Sequence, residues 1–419
     1  MATTNNAASS ARNKPSTTGN KPGNAPQLKS ANSPVKQAST LVKQSTLAPA
    51  TPTSAVSNPT TTKLENLGKS MVSEIKKGDG PTFETVLRTK SNTIFDESLG
   101  CLRSGEKKEI RKFLSIAQAR TFMQTVAVAT KCKQFLKENL HTSIRCMFYQ
   151  LKFTLGEDID EDLFTEQSES NALIEDLEVA LRIKREDLNL TTDRKGFVAG
   201  PMTILDRFGG EDTLIDLEKQ GRSGWSIPSD VDNGMEIKRL DAKYVLVVEK
   251  DALWQRLNED KYWKKENCLL VTPKGQSTRG TRRLLRKLAD RGLPIYCIMD
   301  CDAWGWYIYW TIKTGSMNLA YLGRDFAVPE AKFLGVTMSD IQEFEFLQKL
   351  TIKAKDVDVK RAEEMLGYPW INRYPDWVRE LKDVLKTKKK IEQDALQGQR
   401  LTFVGEYIKK KIKNKEWLS

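Results

Sequence analysis

Three acidic residues stand directly after two apolar runs of the sequence. Glu249 follows "YVLVV", and Asp300 and Asp302 follow "PIYCIM". Because the carboxyl ends of parallel strands lie at one edge of a sheet, we expect the three carboxylates to meet there. Such a set needs a cation, and hard oxygen ligands suit Mg²⁺, which keeps phosphate oxygens in its remaining positions. The alternative is that acids cap the helices that follow, a role open to Asp251 or Asp302.

A tyrosine flanked by two cations forms a second candidate site. The stretch "HTSIRCMFYQLKF" follows a polar break after the apolar stripe of "ARTFMQTVAVATKCKQFLKENL", which is helix-turn-helix spacing. Thr142 or Ser143 is available to cap the second helix. Its two faces differ in polarity, with Arg145, Tyr149 and Lys152 on one and Ile144, Met147, Phe148 and Leu151 on the other. Tyr149 is therefore expected to point outward, and an ordinary surface tyrosine is the alternative to a functional one.

From residue 243 the sequence alternates apolar runs with amphipathic ones. The stretches "YVLVVEK", "CLLVTPK", "PIYCIMD" and "AKFLGVT" are predicted strands, and "ALWQRLNED", "TRRLLRKLADRG" and "WGWYIYWTIK" are predicted helices. Strands without period-two alternation are typical of a parallel sheet that is covered on both faces. We therefore predict an α/β fold for this part of the chain.

Composition divides the chain into three segments. Residues 1–62 are rich in Ala, Thr, Ser, Asn, Pro and Lys, and this composition predicts a disordered basic tail. Residues 63–190 are predicted to form a helical region, beginning with "KLENLGKSMVSEIKKG". Residues 191–419 are predicted to form the α/β domain and its C-terminal helices, where "KTKKK" and "KKKIKNK" are interpreted as solvated basic runs.

Charge and composition limit the class of protein. The 419 residues carry a formal net charge of +12, which favours a polyanion such as nucleic acid or an anionic membrane surface, although a basic tail alone would explain it. No apolar run reaches the ~18 residues that cross a bilayer, and no secretory signal is recognised. Six cysteines without a CxxC pair indicate reduced thiols of a cytoplasmic protein. The single histidine, His141, excludes a mechanism based on a His pair.

The acidic pattern resembles the Toprim domain of topoisomerases and primases, with Glu249 at its Glu and Asp300 and Asp302 at its DxD. Longer stretches resemble the A-subunit of archaeal DNA topoisomerase VI, a relative of the meiotic double-strand-break protein. They are "SIRCMFYQ", "YVLVVEKDALWQRL", "KGQSTRGTRRLL", "DCDAWGWYIYWTIKTGSMNLAY" and "AVPEAKFLGVTMSDI". The resemblance runs from about residue 64 to the C-terminus, and Ala303 departs from it by standing where the family often has proline.

This resemblance implies two domains and a covalent mechanism. A winged-helix-type DNA-cleavage domain would occupy residues 63–190, and a Toprim domain would occupy residues 191–419. Tyr149 would attack a DNA phosphodiester and become linked to the 5′ phosphate, with Arg145 stabilising the charge. Mg²⁺ on the three acids would neutralise the phosphate and stabilise the leaving 3′ oxygen.

The implied enzyme is a type IIB DNA topoisomerase, which breaks and reseals double-stranded DNA. Two copies would cut the two strands, and a separate ATPase, the B-subunit, would complete a nucleoid-associated A2B2 heterotetramer; accordingly, the sequence has no G-x-x-x-x-G-K-[ST] loop. The cations after the middle strand, Lys274, Arg279, Arg282 and Arg283, are predicted to contact the DNA backbone. The alternatives are a strand-break-forming transesterase of recombination and a DNA-binding scaffold without chemistry.

Overall fold

The computed structural model describes residues 58–156, 159–208 and 211–419. Of the predicted disordered tail at residues 1–62, positions 1–57 lie outside the described residues. Its last four positions are helical, which corrects the predicted boundary. Asn58 caps a helix that begins at Pro59, and the Asn58 side chain accepts a hydrogen bond from the Thr60 amide at 2.9 Å.

The first folded region contains helices and short strands. Its elements are α1 (Pro59–Lys76), β1 (Thr82–Val86), β2 (Thr93–Asp96), β3 (Cys101–Ser104), β4 (Lys108–Lys112), α2 (Ile116–Glu138), β5 (Thr142–Ser143), α3 (Ile144–Leu151), β6 (Thr154–Gly156), β7 (Ile159–Asp162), α4 (Gln167–Leu181) and β8 (Leu190–Thr191). Strands β1 and β4, β2 and β3, and β6 and β7 form antiparallel pairs. The region predicted to be helical is therefore mixed.

The second region begins with a small antiparallel sheet and continues as an alternation of strands and helices. Its elements are β9 (Phe197–Ala199), β10 (Met202–Phe208), β11 (Glu211–Asp216), β12 (Trp225–Ser226), β13 (Met235–Leu240), β14 (Val245–Val248), α5 (Asp251–Glu259), α6 (Tyr262–Glu266), β15 (Leu269–Thr272), α7 (Arg279–Ala289), β16 (Ile295–Ile298), α8 (Ala303–Thr314), α9 (Gly323–Phe326), β17 (Lys332–Gly335), α10 (Met338–Glu343), α11 (Glu345–Lys349), β18 (Ile352–Lys353), α12 (Asp356–Leu366), α13 (Pro369–Asn372), α14 (Pro375–Thr387), β19 (Lys389–Lys390) and α15 (Phe403–Asn414).

Two separate hydrophobic cores underlie these regions. The first core runs from Leu64 to Leu190 and includes Met147 and Phe148 of α3. The second core runs from Val198 to Ile408 and also takes in Leu102 of β3. The β2–β3 hairpin of the first region therefore packs on the second core, and it ties the two regions together.

The central sheet has the strand order β12-β9-β15-β14-β16-β17. Strands β14 to β17 are parallel, and every residue of β14, β15 and β16 is buried, which explains the absence of period-two alternation in these stretches. The predicted α/β fold with a parallel sheet is confirmed for β14 to β17, whereas β9 and β12 extend the same sheet as antiparallel strands. After β14 the chain adds β15 on one side and then crosses to add β16 on the other, so the topological switch point lies between β14 and β16.

Across the described residues, no helix has both the length and the apolarity needed to cross a membrane.

Candidate active site

The three acids lie at the switch point of the parallel sheet. Glu249 follows β14 and Asp300 follows β16, and these strands are direct neighbours, with Val248 opposite Ile298. The Asp300 amide donates a hydrogen bond to Glu249 Oε2 at 3.4 Å. Asp302 is two residues further on, and 7% of it is exposed. The structure therefore brings the carboxyl groups to the crevice where open α/β sheets place their ligands.

Asp302 also caps the helix that follows it. Its Oδ1 accepts hydrogen bonds from the amides of Trp304 at 3.0 Å and Gly305 at 2.8 Å, so the capping alternative is correct for this residue. Its Oδ2 lies 3.2 Å from Lys390 Nζ. One oxygen of Asp302 thus fixes the start of α8 while the other faces a cation. Asp251 is the first residue of α5 and not its cap.

The first turn of α8 packs closely beneath Asp300. A Cβ atom on Gly305 would lie 2.5 Å from the Asp300 carbonyl oxygen, so only glycine allows this approach. Ala303 is fully buried as the first residue of the helix, a position that also accepts proline. The departure at Ala303 is therefore compatible with the same turn.

Burial and like charge make these carboxylates hard to ionise together. Burial raises the pKa of Glu249 to about 7, and the charges of Asp300 and Asp302 add to the effect. Burial also raises the pKa of Asp300, against the opposing hydrogen bond from the Gln393 amide and the charge of Lys250. A divalent cation would relieve this repulsion.

Two lysines partly neutralise the acids in the structure. Lys250 Nζ lies 3.3 Å from Asp300 Oδ2, and Lys390 Nζ lies 3.2 Å from Asp302 Oδ2. Among the residues that the structure describes, no three His, Cys, Asp or Glu side chains are already arranged as a metal site. The oxygen donors and their unrelieved charge fit Mg²⁺, but the two aspartates would have to exchange an ammonium contact for the ion.

We expect Glu249→Gln to stabilise the metal-free chain at alkaline pH. The pKa of Glu249 is about 7 in the folded state against an ordinary 4.5, so unfolding releases a proton between these values. Wild-type stability should therefore fall as pH rises from 4.5 to 7, by at most about 3.5 kcal/mol from this group at ~1.4 kcal/mol per pKa unit.

Thermal or urea unfolding of both proteins in EDTA at several pH values would measure this effect. The advantage of Glu249→Gln should be present at pH 8 and vanish below pH 4.5. If the difference in unfolding free energy between Glu249→Gln and wild type were the same at every pH, the assignment of this repulsion to Glu249 would be contradicted.

The tyrosine helix α3 has the two faces predicted for it. Ser143 is its cap, since Ser143 Oγ accepts a hydrogen bond from the Cys146 amide at 3.0 Å. The residues Met147, Phe148 and Leu151 are buried, whereas Arg145, Tyr149 and Lys152 are exposed. All ten tyrosines of the chain lie in the described residues, and Tyr149 is the only exposed one, at 58%.

Tyr149 and the acids belong to different cores of the chain. The ring of Tyr149 contacts the ring of Phe148, with centroids 5.2 Å apart, on the first core. The hydrogen-bond and ion-pair partners of the three acids lie between residues 249 and 394, in the second region. The two candidate sites are therefore built on different cores.

Comparisons with known proteins assign both regions. The family of the Toprim domain that the topoisomerase 6 A-subunit shares with Spo11 matches residues 244–412, which contain the three acids. The family described as "Type IIB DNA topoisomerase" matches residues 120–190, which contain Tyr149.

Curated relatives cover most of the chain. The A-subunit of type 2 DNA topoisomerase 6 from Pyrococcus abyssi is 42% identical over 363 residues, which are 84% of this chain and 93% of the relative. That of Aeropyrum pernix is 41% identical over 365 residues, 83% of this chain and 92% of the relative. The chain belongs to the topoisomerase 6 A-subunit family.

Family membership extends beyond archaea and defines the enzyme class. The A-subunit of DNA topoisomerase 6 from Arabidopsis thaliana is 30% identical over 359 residues, 85% of this chain and 81% of the relative. The resemblance noted from the sequence motifs is confirmed. This chain is therefore a type II DNA topoisomerase, an isomerase.

The structure corrects the prediction of DNA contacts on α7 in this member of the topoisomerase 6 A-subunit family. Arg279 is 5% exposed, and its Nη1 lies 2.6 Å from Oε1 of the fully buried Glu178 on α4. Arg282 is 4% exposed, and burial lowers its pKa to about 10, with the charge of Arg279 adding to the effect. Buried guanidinium groups do not reach a DNA backbone, so the assignment is not supported at these two positions.

The other two predicted DNA contacts are nearer the surface but already paired. Arg283 Nε lies 2.9 Å from Asp232 Oδ1. Lys274 Nζ lies 3.2 Å from Asp251 Oδ2 and 4.2 Å from the centroid of the Phe197 ring. A DNA contact by Arg283 or Lys274 remains a prediction.

Sequence reasoning missed three residues that surround the acids. Lys250 directly follows Glu249, and its partners include Asp300, as described above. Lys390 was assigned to a solvated basic run, but its side chain is 15% exposed and also pairs with Asp358 at 3.0 Å. Gln393 is fully buried. The sequence did offer a signal for Lys250, which stands directly beside Glu249. No local pattern marks Lys390 or Gln393, because their contacts with the aspartates span about ninety residues.

Proposed function

We propose that this chain is the DNA-cleaving subunit of an ATP-dependent type IIB topoisomerase that works through a 5′-phosphotyrosyl link at Tyr149. The exposure of Tyr149 carries this proposal, because the nine other tyrosines are buried or half-buried among the described residues. A nucleophile must be accessible to the phosphodiester. Tyr149 meets this requirement on α3, the second helix of the predicted helix-turn-helix. The β6–β7 pair directly after α3 supports a winged-helix arrangement for this region.

The proposed step exchanges one phosphodiester for another. Tyr149 Oη attacks the phosphorus, the bond to the 3′ oxygen breaks, and the phenolic proton leaves the tyrosine as the 3′ hydroxyl gains one. Arg145 is exposed four residues earlier on the same face, where its guanidinium would stabilise the developing charge on the phosphate. Because the number of phosphodiester bonds is conserved, resealing requires no nucleotide.

Glu249, Asp300 and Asp302 would hold Mg²⁺ at the switch point of the sheet. The ion would supply charge neutralisation of the phosphate and stabilisation of the leaving 3′ oxygen. In this proposal Lys250 and Lys390 release the aspartates, and their ammonium groups become free to pair with DNA phosphates. Asp302 Oδ1 would still accept its hydrogen bonds from the first amides of α8, so the turn would retain its shape.

Two copies of the chain would act together on double-stranded DNA. In line with the family resemblance, we propose that the tyrosine of one copy works with the acids of the other, and the separate cores under Tyr149 and the acids are compatible with this arrangement. A homodimer would cut both strands in this way, and a separate ATPase, the B-subunit, would complete an A2B2 heterotetramer that drives strand passage. The complex would act in the cytoplasm on the nucleoid.

We expect the purified chain alone neither to hydrolyse ATP nor to relax supercoiled DNA, because the sequence has no phosphate-binding nucleotide loop. Addition of the ATPase partner should produce ATP-dependent relaxation. The measurements are phosphate release and agarose-gel separation of topoisomers, with Tyr149→Phe plus the ATPase partner as the control for contaminating topoisomerase. ATP hydrolysis by the chain alone would overturn the proposed division of labour.

The alternative function is a strand-break-forming transesterase of recombination, in line with the resemblance to the meiotic double-strand-break protein. The same reconstitution separates the two functions. A topoisomerase reseals the DNA and leaves relaxed closed circles, whereas a strand-break-forming transesterase leaves linear DNA with protein on its 5′ ends. The 42% identity to a topoisomerase chain favours the first function.

A further inference from the structure

A C-terminal segment is held against the acidic turn by its backbone. The Cys301 amide donates to the Ile391 carbonyl at 2.9 Å, and the Ile391 amide donates back to the Cys301 carbonyl at 3.2 Å. Cys301 lies between the two aspartates, and Ile391 is 1% exposed. This pairing fixes the residues after Ile391 beside the carboxylates.

Gln393 uses this position to contact two acids from neighbouring strands. Its backbone amide donates to Asp300 Oδ1 at 2.8 Å, and its side-chain Nε2 donates to Glu249 Oε2 at 3.2 Å. The residue is fully buried. One residue therefore sets the separation and the orientation of two carboxylates that repel each other.

The remaining polar atom of Gln393 is unpaired. Its Oε1 is buried and has no hydrogen-bond partner among the described residues. Burying such an oxygen unpaired costs about 1–3 kcal/mol, which a purely structural glutamine would avoid by pairing or by replacement with an apolar residue. A buried unpaired oxygen beside clustered carboxylates is suited to a water molecule or a cation.

Other side chains around the acids are less suited to this role. Lys250 bridges Asp300 to the exposed Glu392 at 2.7 Å and to the half-buried Asp394 at 3.0 Å, and its ammonium would compete with a metal ion. Lys390 opposes a metal ion in the same way at Asp302. Gln393 is neutral, so it can hold the acids in place without competing for their charge.

We propose that Gln393 is a positioning residue of the metal site, which holds Glu249 and Asp300 in place and offers Oε1 to a water of the bound ion. The proposal rests on the proposed Mg²⁺ site at Glu249, Asp300 and Asp302. Groups that orient metal ligands typically contribute about 10- to 100-fold to metal affinity. Loss of the Gln393 side chain should have an effect of this size.

The test is calorimetric titration of Mn²⁺ and Mg²⁺ into the full chain without DNA. Gln393→Met keeps the approximate side-chain volume and the backbone amide that contacts Asp300, but it removes the side-chain amide that contacts Glu249. We therefore expect metal binding about 10- to 100-fold weaker than wild type. Gln397→Met is the matched control in the same turn, since Gln397 makes no hydrogen bond to these acids within the described residues, and it should bind as wild type does. Gln393→Asn retains an amide that is one carbon too short, and it should resemble Gln393→Met.

Two further measurements separate positioning from structural support. The Mg²⁺ concentration that gives half-maximal DNA cleavage should rise in Gln393→Met by the factor seen in calorimetry, while the rate at saturating Mg²⁺ stays near wild type. A structural role would instead lower the unfolding temperature in EDTA and leave metal affinity unchanged, which would overturn the proposal. If Gln393→Met does not fold, Gln393→Asn decides by the same criteria.

Asp300→Asn distinguishes failure of this proposal from failure of the metal site itself. If Asp300→Asn binds metal as wild type does, the proposed Mg²⁺ site is wrong. If Asp300→Asn loses metal binding while Gln393→Met and Gln393→Asn bind normally, only the role of Gln393 is wrong.

Discussion

Tyr149→Phe is expected to abolish DNA cleavage while the protein folds, binds DNA and pairs with its partners as wild type does. The substitution keeps the ring that packs on Phe148 and removes only the attacking hydroxyl. Because 58% of Tyr149 is exposed, stability should change by less than about 0.5 kcal/mol. The measurement is denaturing capture of protein on end-labelled DNA after incubation with Mg²⁺, the ATPase partner and an ATP analogue.

Two variants control this experiment. Tyr374→Phe removes the hydroxyl of a half-buried tyrosine whose ring packs on Trp310, and it should cleave as wild type does. Arg145→Ala should slow cleavage by about 10²- to 10³-fold, the usual effect of losing a donor to a developing charge, and the remaining product should still be attached at Tyr149. Covalent capture of Tyr149→Phe at the wild-type level would refute the assigned nucleophile.

Asp300→Asn is expected to abolish cleavage at every Mg²⁺ concentration while leaving salt-sensitive DNA binding largely intact. The change removes one negative charge from the site, and the amide oxygen of asparagine can still accept from the Gln393 backbone amide. Since ligation of a hard cation depends on carboxylate charge, the variant should lose metal affinity and keep its fold. Chelation of metal from the wild type should have the same effect.

The matched control for Asp300→Asn is Asp394→Asn. Asp394 also pairs with Lys250, at 3.0 Å, but its side chain is 39% exposed and contacts neither Glu249 nor Asp302 among the described residues. This variant should cleave normally. Fluorescence anisotropy across a range of salt concentrations would establish that both variants bind DNA. Undiminished cleavage by the wild type in EDTA would contradict the metal site.

The sequence predicted those parts of the fold that depend on local pattern. The fully apolar runs of β14, β15 and β16 indicated buried parallel strands, and the acids after them could be placed at one sheet edge from strand direction alone. The two faces of α3 followed equally from helical periodicity. In each case a single short stretch contains the information.

The sequence could not predict contacts whose partners lie far along the chain. Arg279 was predicted to contact DNA because it follows the middle strand at the same sheet edge. Its acidic partner, Glu178, lies 101 residues earlier on another helix and could not be foreseen. Gln393 reaches Glu249 across 144 residues, and no local pattern marks it.

The most direct test of the proposed mechanism is to locate the covalent link between protein and DNA. The wild-type chain with its ATPase partner, Mg²⁺ and DNA would be denatured after cleavage, digested with nuclease and protease, and analysed by mass spectrometry. We predict a phosphotyrosyl adduct to a 5′ phosphate on the peptide that contains Tyr149, with the DNA 3′ ends free. An adduct on any of the nine other tyrosines, or a link to 3′ ends, would contradict the mechanism.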